Sequence, residues 1–116
     1  MREDGILVTV LLLDDDDELP SSPTEGEMAL TTQLGADRLR EIDATLRRHA
    51  GGSWLKVARV VFESLQAGGF SAADDGHVAL HVRRLIGIVD SGVLEARGNV
   101  RRPRRSEVRH ASSSSE

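Results

Sequence analysis

Cysteine is absent from the 116 residues, and so is tyrosine. Without thiols the chain forms no disulfide, carries no thiolate nucleophile and cannot build cysteine-based structural zinc sites, and it fits a reducing, cytoplasmic setting. Aromatic residues are confined to Trp54, Phe62 and Phe70, too few for the platform on which single-stranded nucleic acid stacks its bases. Long apolar runs are missing as well. Ile6 to Leu13 spans eight residues, where a bilayer crossing needs about 20. With Arg2 as its only preceding base and Asp14 to Glu18 behind it, this run does not fit a signal peptide either, so no membrane role is expected. No internal repeat is visible, and the length allows one small domain with tails.

What is present is charge, unevenly placed. Residues 1 to 27 hold nine of the 19 acids and one of the 15 bases, a balance of -8, which leaves +4 on the remainder. That asymmetry points to an anionic partner for the basic part, or to an acidic arm lying against it. Leu19 to Glu27, with Pro20, Ser21, Ser22, Pro23 and Gly26, reads as a linker. Residues 1 to 29 are therefore expected to form an acidic, disordered extension, with residues 1 to 27 dispensable for folding. Residues 30 to 111 form the domain, and 112 to 116, a serine run, a disordered tail.

Three segments carry helical periodicity. Leu39, Ile42, Leu46 and Ala50 share one face of a first helix, Ala36 to His49, which ends at Gly51-Gly52. Ser53 is placed to cap a second helix whose apolar face is Trp54, Val57, Ala58, Val61, Phe62 and Leu65, ending at Gly68-Gly69. A third helix starts near Asp74-Asp75 and stops at Gly92. Its core arc holds Val78, His81, Val82, Leu85, Ile86, Ile88 and Val89, leaving Ala79, Leu80, Arg83, Arg84, Gly87 and Asp90 outside. Beyond Gly92 the period changes to two. Leu94 and Ala96 alternate with Glu95 and Arg97, and Val108 stands alone inside Ser106 to Arg109, so the two runs pair as a hairpin across an Arg101 to Arg105 tip.

Three helices followed by a two-stranded hairpin is the element order of a winged-helix domain, and three apolar stripes with Leu94 and Val108 suffice to close one core. The fold expected is thus α+β: a three-helix winged-helix-like domain with a C-terminal β-hairpin wing and disordered tails at both ends. A plain three-helix bundle is the structural alternative.

Several blocks in this order resemble a known family. Leu39 to Asp43, Trp54 to Val61, Arg84-Leu85 to Glu95, Gly98-Asn99 and Ser106 to Arg109 look like domain of unknown function 3658, a group of small bacterial proteins. The resemblance spans Leu34 to Arg109 and is most specific in Trp54 to Ala58 and Gly92 to Arg109. It implies no activity. Where the family pattern is apolar or aromatic near the returning strand, this chain has Pro103, Arg105 and His110, which implies a more cationic wing.

Arg97, Arg101, Arg102, Arg104, Arg105 and Arg109 place six guanidinium groups within thirteen residues around the wing. On a wing they can reach phosphates or a minor groove, while Arg83 and Arg84 on the outer face of the third helix can meet a major groove. That face lacks Asn, Gln, Ser and Thr to read bases, so contact with nucleic acid would be electrostatic; a solvated or protein-contacting wing is the competing reading. His77 and His81 have helical zinc-ligand spacing, but Val78, Ala79 and Leu80 stand between them and no third ligand follows, so no metal is expected and His81 is assigned to packing beside Leu85. Asp43 is expected to pair with Arg47 one turn on. Ser53, Ser71 and Ser106 are expected as caps and turn residues, and Trp54 as the core anchor between the first two helices. No enzyme activity and no cofactor is expected. The function expected is a non-catalytic binding module, either weakly electrostatic toward nucleic acid through Arg83, Arg84, Arg97, Arg101, Arg102, Arg104 and Arg105, or a protein-interaction module. It would be a monomer, or a homodimer through Ala79 and Leu80.

Overall fold

The three periodic segments all form helices, joined by a small antiparallel sheet. A computed structural model describes residues 18–111: α1 (Glu25–His49), β1 (Leu55–Lys56), α2 (Val57–Ala67), α3 (Asp75–Asp90), β2 (Leu94–Arg97) and β3 (Glu107–His110), with a 3-10 turn at Pro103–Arg105. The class is α+β, as the alternation of periods predicts. Expectations for Ile6 to Leu13 and for the serine tail lie outside the described residues.

The sheet has the order β1-β3-β2. Ala96 pairs with Val108 and Glu95 with Arg109 across the hairpin, and on the other side of β3, Leu55 pairs with Val108. Cross-strand partners share a face, so Leu55, Ala96, Val108 and Leu94 turn toward the helices while Glu95, Arg97, Glu107 and Arg109 turn away. The inner set joins the core of Leu46, Val57, Val61, Leu65 and Leu85, each with no exposed surface.

β1 corrects the expected start of the second helix. Ser53 caps nothing; the helix begins at Val57, whose N–H donates to Ser106 O at 3.0 Å. Pairing with β3 takes Leu55 and Lys56 out of a helix that their periodicity also allowed, which is tertiary context overriding local propensity. The face of α2 rotates accordingly. Val57, Val60, Val61, Ser64 and Leu65 are buried, whereas Phe62 is 42% exposed.

The larger correction lies before the first expected helix. α1 begins at Glu25 rather than Ala36, because Thr24 and Glu27 form a capping box: the Thr24 hydroxyl accepts from Glu27 N at 3.1 Å, and Thr24 N donates to the Glu27 carboxylate at 3.3 Å. Gly35, at φ 81° and ψ 168°, bends the helix into two segments, a conformation open to glycine alone. Upstream, Leu19 is 2% exposed and its N–H donates to Arg101 O at 2.7 Å. Residues 18 to 29 therefore belong to the folded unit, and neither the linker nor the boundary at residue 30 holds.

α3 starts and stops as expected, with Asp74 accepting from His77 N and Gly92 at φ 89°. Its supposed outer face is covered. Leu80 is 3% exposed and Ala79 8%, and Leu30 of α1 lies within 3.7 Å of where a side chain on Gly76 would begin. The first segment of α1 occupies that face, so dimerisation through Ala79 and Leu80 is excluded by the protein's own chain.

Candidate nucleic-acid interface

The arginines expected to contact phosphate fall into three groups with different surroundings. On α3, Arg83 donates through Nε and Nη2 to the two Glu27 oxygens at 2.9 and 3.1 Å, and Nη1 and Nη2 reach Ser21 O and Ser22 O. The Glu27 side chain is 3% exposed. Arg84 makes the equivalent fork onto Asp43, at 2.9 and 2.7 Å, and the hydrogen bond to Asp43 raises the guanidinium's already high pKa. Asp43 thus pairs with Arg84 across the helix interface and not with Arg47 along its own helix. Both residues tie α3 to α1. They are structural, and the expectation that they face a major groove is corrected: the covering α1 segment turns them into a helix clamp.

On the outer face of the sheet the charges interlock. Arg97 Nε donates to Glu107 at 2.6 Å and Arg109 pairs with Glu95 at 3.3 Å, each across the β2–β3 ladder. Trp54, extended next to β1, stacks on both, each guanidinium carbon 4.4 Å from the ring centroid. The tryptophan is half-buried, so it is a sheet-face residue and not the anchor between the first two helices. Exposed pairs of this kind contribute about 0 to 1 kcal/mol each, and a guanidinium over an exposed ring about 0.5 to 1.

The third group is the wing tip. Gly98, at φ 84°, begins it; a Cβ there would lie 2.6 Å from Arg105 O, so the strand turns only with glycine at this point. The 3-10 turn follows, with Pro103 buried and Arg104 and Arg105 exposed. Arg101 pairs with Glu18 at 2.9 Å and donates to Leu19 O at 3.2 Å; Arg102 reaches Glu18 at 3.5 Å, and Asn99 donates to the same carboxylate at 3.0 Å. Glu18 closes the Asp14 to Glu18 acidic run. The described end of the acidic arm therefore sits on the wing, which is the second of the two arrangements its charge pattern allowed.

The histidines pack. His81 is 1% exposed, and burial pushes the pKa of its imidazole down to about 4; the hydrogen bond to the His77 backbone opposes this, the His77 ring charge adds to it and Asp43 opposes it weakly. Its Nδ1 lies 2.8 Å from His77 O; a carbonyl only accepts, so Nδ1 carries the proton and Nε2 the lone pair. Among the described residues no group of three or more His, Asp or Glu is placed to hold a metal ion. Ser71 and Ser106 are turn residues, the first accepting from Ala73 N and the second donating to Arg102 O. Sequence reasoning passed over Ser64, a polar residue on the apolar stripe of α2 between Val61 and Leu65.

No family model, curated protein or solved structure matches the chain. The likeness to domain of unknown function 3658 accordingly rests on the residue blocks alone, and the fold by itself assigns no function. No helix among the described residues is long and apolar enough to cross a membrane.

Proposed function

We propose that the chain is a non-catalytic binding module of winged-helix type that grips the phosphate backbone of nucleic acid through its wing, without reading base sequence. The observation that carries this reading is the concentration of Arg101, Arg102, Arg104 and Arg105 in one five-residue turn. Guanidinium groups crowded on one turn suit phosphate, which each contacts through paired N–H donors, Arg101 and Arg102 exchanging the Glu18 carboxylate for it. The same geometry withdraws α3 from direct readout, because Arg83 and Arg84 are committed to Glu27 and Asp43. Specificity then has no source in a recognition helix.

The cytoplasmic setting belongs to this proposal and rests on the absence of cysteine. A second reading, a protein-interaction module, is favoured by that same covering of α3, since a winged helix without a free recognition helix has less use for a groove. Titrating labelled duplexes of unrelated sequence separates the two. Equal affinities across sequences, lost together when the four tip arginines become glutamine, support the backbone reading. Binding weaker than about 1 mM at low salt transfers the wing to an acidic protein partner.

A further inference from the structure

The turn that follows β2 already holds an anion, and one of its donors is not an arginine. Arg102 N donates to Asn99 O at 2.8 Å and Arg101 N to Asn99 Oδ1 at 3.0 Å, which closes residues 99 to 102 into a tight loop. With its oxygen turned into the loop, the Asn99 amide presents its nitrogen outward, and Nδ2 donates to Glu18 Oε2 at 3.0 Å. Arg101 Nη2 reaches the same oxygen at 2.9 Å, and Arg102 Nε faces Oε1 at 3.5 Å. One carboxylate thus meets an amide and two guanidinium groups, the donor set that takes two oxygens of a phosphate equally well.

Two features separate this cluster from the other ion pairs. The Arg83 and Arg84 pairs are partly buried and hold helices together, whereas here the side chains of Glu18, Arg101 and Arg102 keep 35%, 35% and 46% of their exposure, so an incoming anion can reach the donors without opening the fold. The position of Glu18 also does not depend on its charge. Its neighbour Leu19 is 2% exposed, donates its N–H to Arg101 O at 2.7 Å and accepts from Arg101 Nη1 at 3.2 Å. The backbone therefore delivers the carboxylate to the wing, where a tethered group competes at high effective concentration. Turning the Glu18 side chain away releases Arg101 Nη2, Arg102 and Asn99 while Leu19 stays packed.

We infer that Asn99, Arg101 and Arg102 form one phosphate subsite of the wing, and that Glu18 is its built-in competitor, occupying the subsite until a backbone phosphate of nucleic acid displaces it. This rests on the backbone-binding reading above. It adds Asn99 as a phosphate-contacting residue and an autoinhibitory carboxylate supplied by the chain itself.

The test is a double-mutant cycle on the full chain, read as the affinity for one labelled DNA duplex at low salt. Glu18→Gln keeps the side-chain size and removes the charge. It should tighten duplex binding about fivefold, the worth of the exposed ion pairs that a phosphate no longer has to break. In that background Asn99→Ala should weaken binding about fivefold, one net hydrogen bond to a charged group. In the wild type the same change should cost less than about twofold, because the amide then serves both competing anions and its loss weakens each. A charge effect without a shared subsite gives equal Asn99→Ala costs in the two backgrounds. Equal costs, or a Glu18→Gln protein that binds no more tightly than a wild type that does bind, would overturn this inference and leave the wing reading standing. Binding weaker than about 1 mM by the wild type and every variant would overturn the wing reading and this inference with it.

Discussion

Replacing Glu27 with alanine tests the clamp that covers α3. Its carboxylate is 3% exposed and does two jobs: it accepts both nitrogens of Arg83, and it closes the capping box at Thr24. Removing one member of a buried ion pair costs about 3 to 5 kcal/mol, because the other charge is left uncompensated, and loss of a cap adds about 1. Arg83 keeps 19% of its side-chain exposure and hydrogen bonds to Ser21 O and Ser22 O, which reduces the penalty. A net loss of about 3 kcal/mol is expected, a large share of the roughly 5 to 15 kcal/mol that stabilises small domains. At about 4 to 8 °C per kcal/mol for a domain of this size, the melting temperature should fall by at least about 12 °C. Thermal and urea unfolding of Glu27→Ala against wild type measures it, and the double variant Glu27→Leu/Arg83→Met, which removes both charges, should recover most of the loss. A cost of Glu27→Ala below about 1 kcal/mol would place it among exposed pairs and refute the clamp. The reasoning also reverses the expectation that residues 1 to 27 are dispensable: a chain starting at Met28 lacks Leu19, Thr24 and Glu27 and should not unfold cooperatively at wild-type temperature.

Two further outcomes follow from side-chain surroundings. Trp54→Ala should cost about 1 to 2 kcal/mol, from two cation–π contacts and half-buried area, where a core tryptophan would cost about 3 to 5; urea midpoints distinguish these, and the larger value would return Trp54 to the core. His81 is depressed from 6.5 to about 4, so between those pH values the unfolded chain binds a proton that the folded chain does not. Its contribution is complete above pH 6.5 and is lost as pH falls toward 4, about 3 kcal/mol in all. Comparing urea unfolding at pH 7 and 4.5 in wild type and His81→Leu isolates it, and equal pH sensitivity in the two proteins would show that His81 is not protected from protonation.

Much of the architecture was legible because its signals are local. Asp74 and Gly92 bound α3 by caps, and the alternation of Leu94, Ala96 and Val108 reports the inner face of the hairpin whatever else surrounds it. The errors share one cause, which is partners distant in sequence. β1 has two residues and exists only through β3, more than fifty positions later. Periodicity placed Arg83 and Arg84 on the outer side of α3 but was silent on what covers that side, and their carboxylates lie 56 and 41 residues away. The covering segment itself carried a local signal, the Thr24 to Glu27 capping box, which Pro20, Pro23 and Gly26 outweighed as linker composition. Ser64 was equally legible in principle: a hydroxyl on a buried stripe either bonds to its own helix or goes unpaired, and only the fold shows that this one is unpaired.

The salt dependence of duplex binding tests the wing most directly. Each phosphate contact contributes about 0.9 to the log–log slope on duplex DNA, so four tip arginines predict a slope of about -3.6. Fluorescence anisotropy of one labelled duplex at several salt concentrations, for the wild type and for the variant with Arg101, Arg102, Arg104 and Arg105 changed to glutamine, measures it. The account predicts that slope in the wild type and its collapse toward zero in the variant. A slope that survives loss of the four arginines would place the phosphate contacts elsewhere and contradict the assignment of the wing.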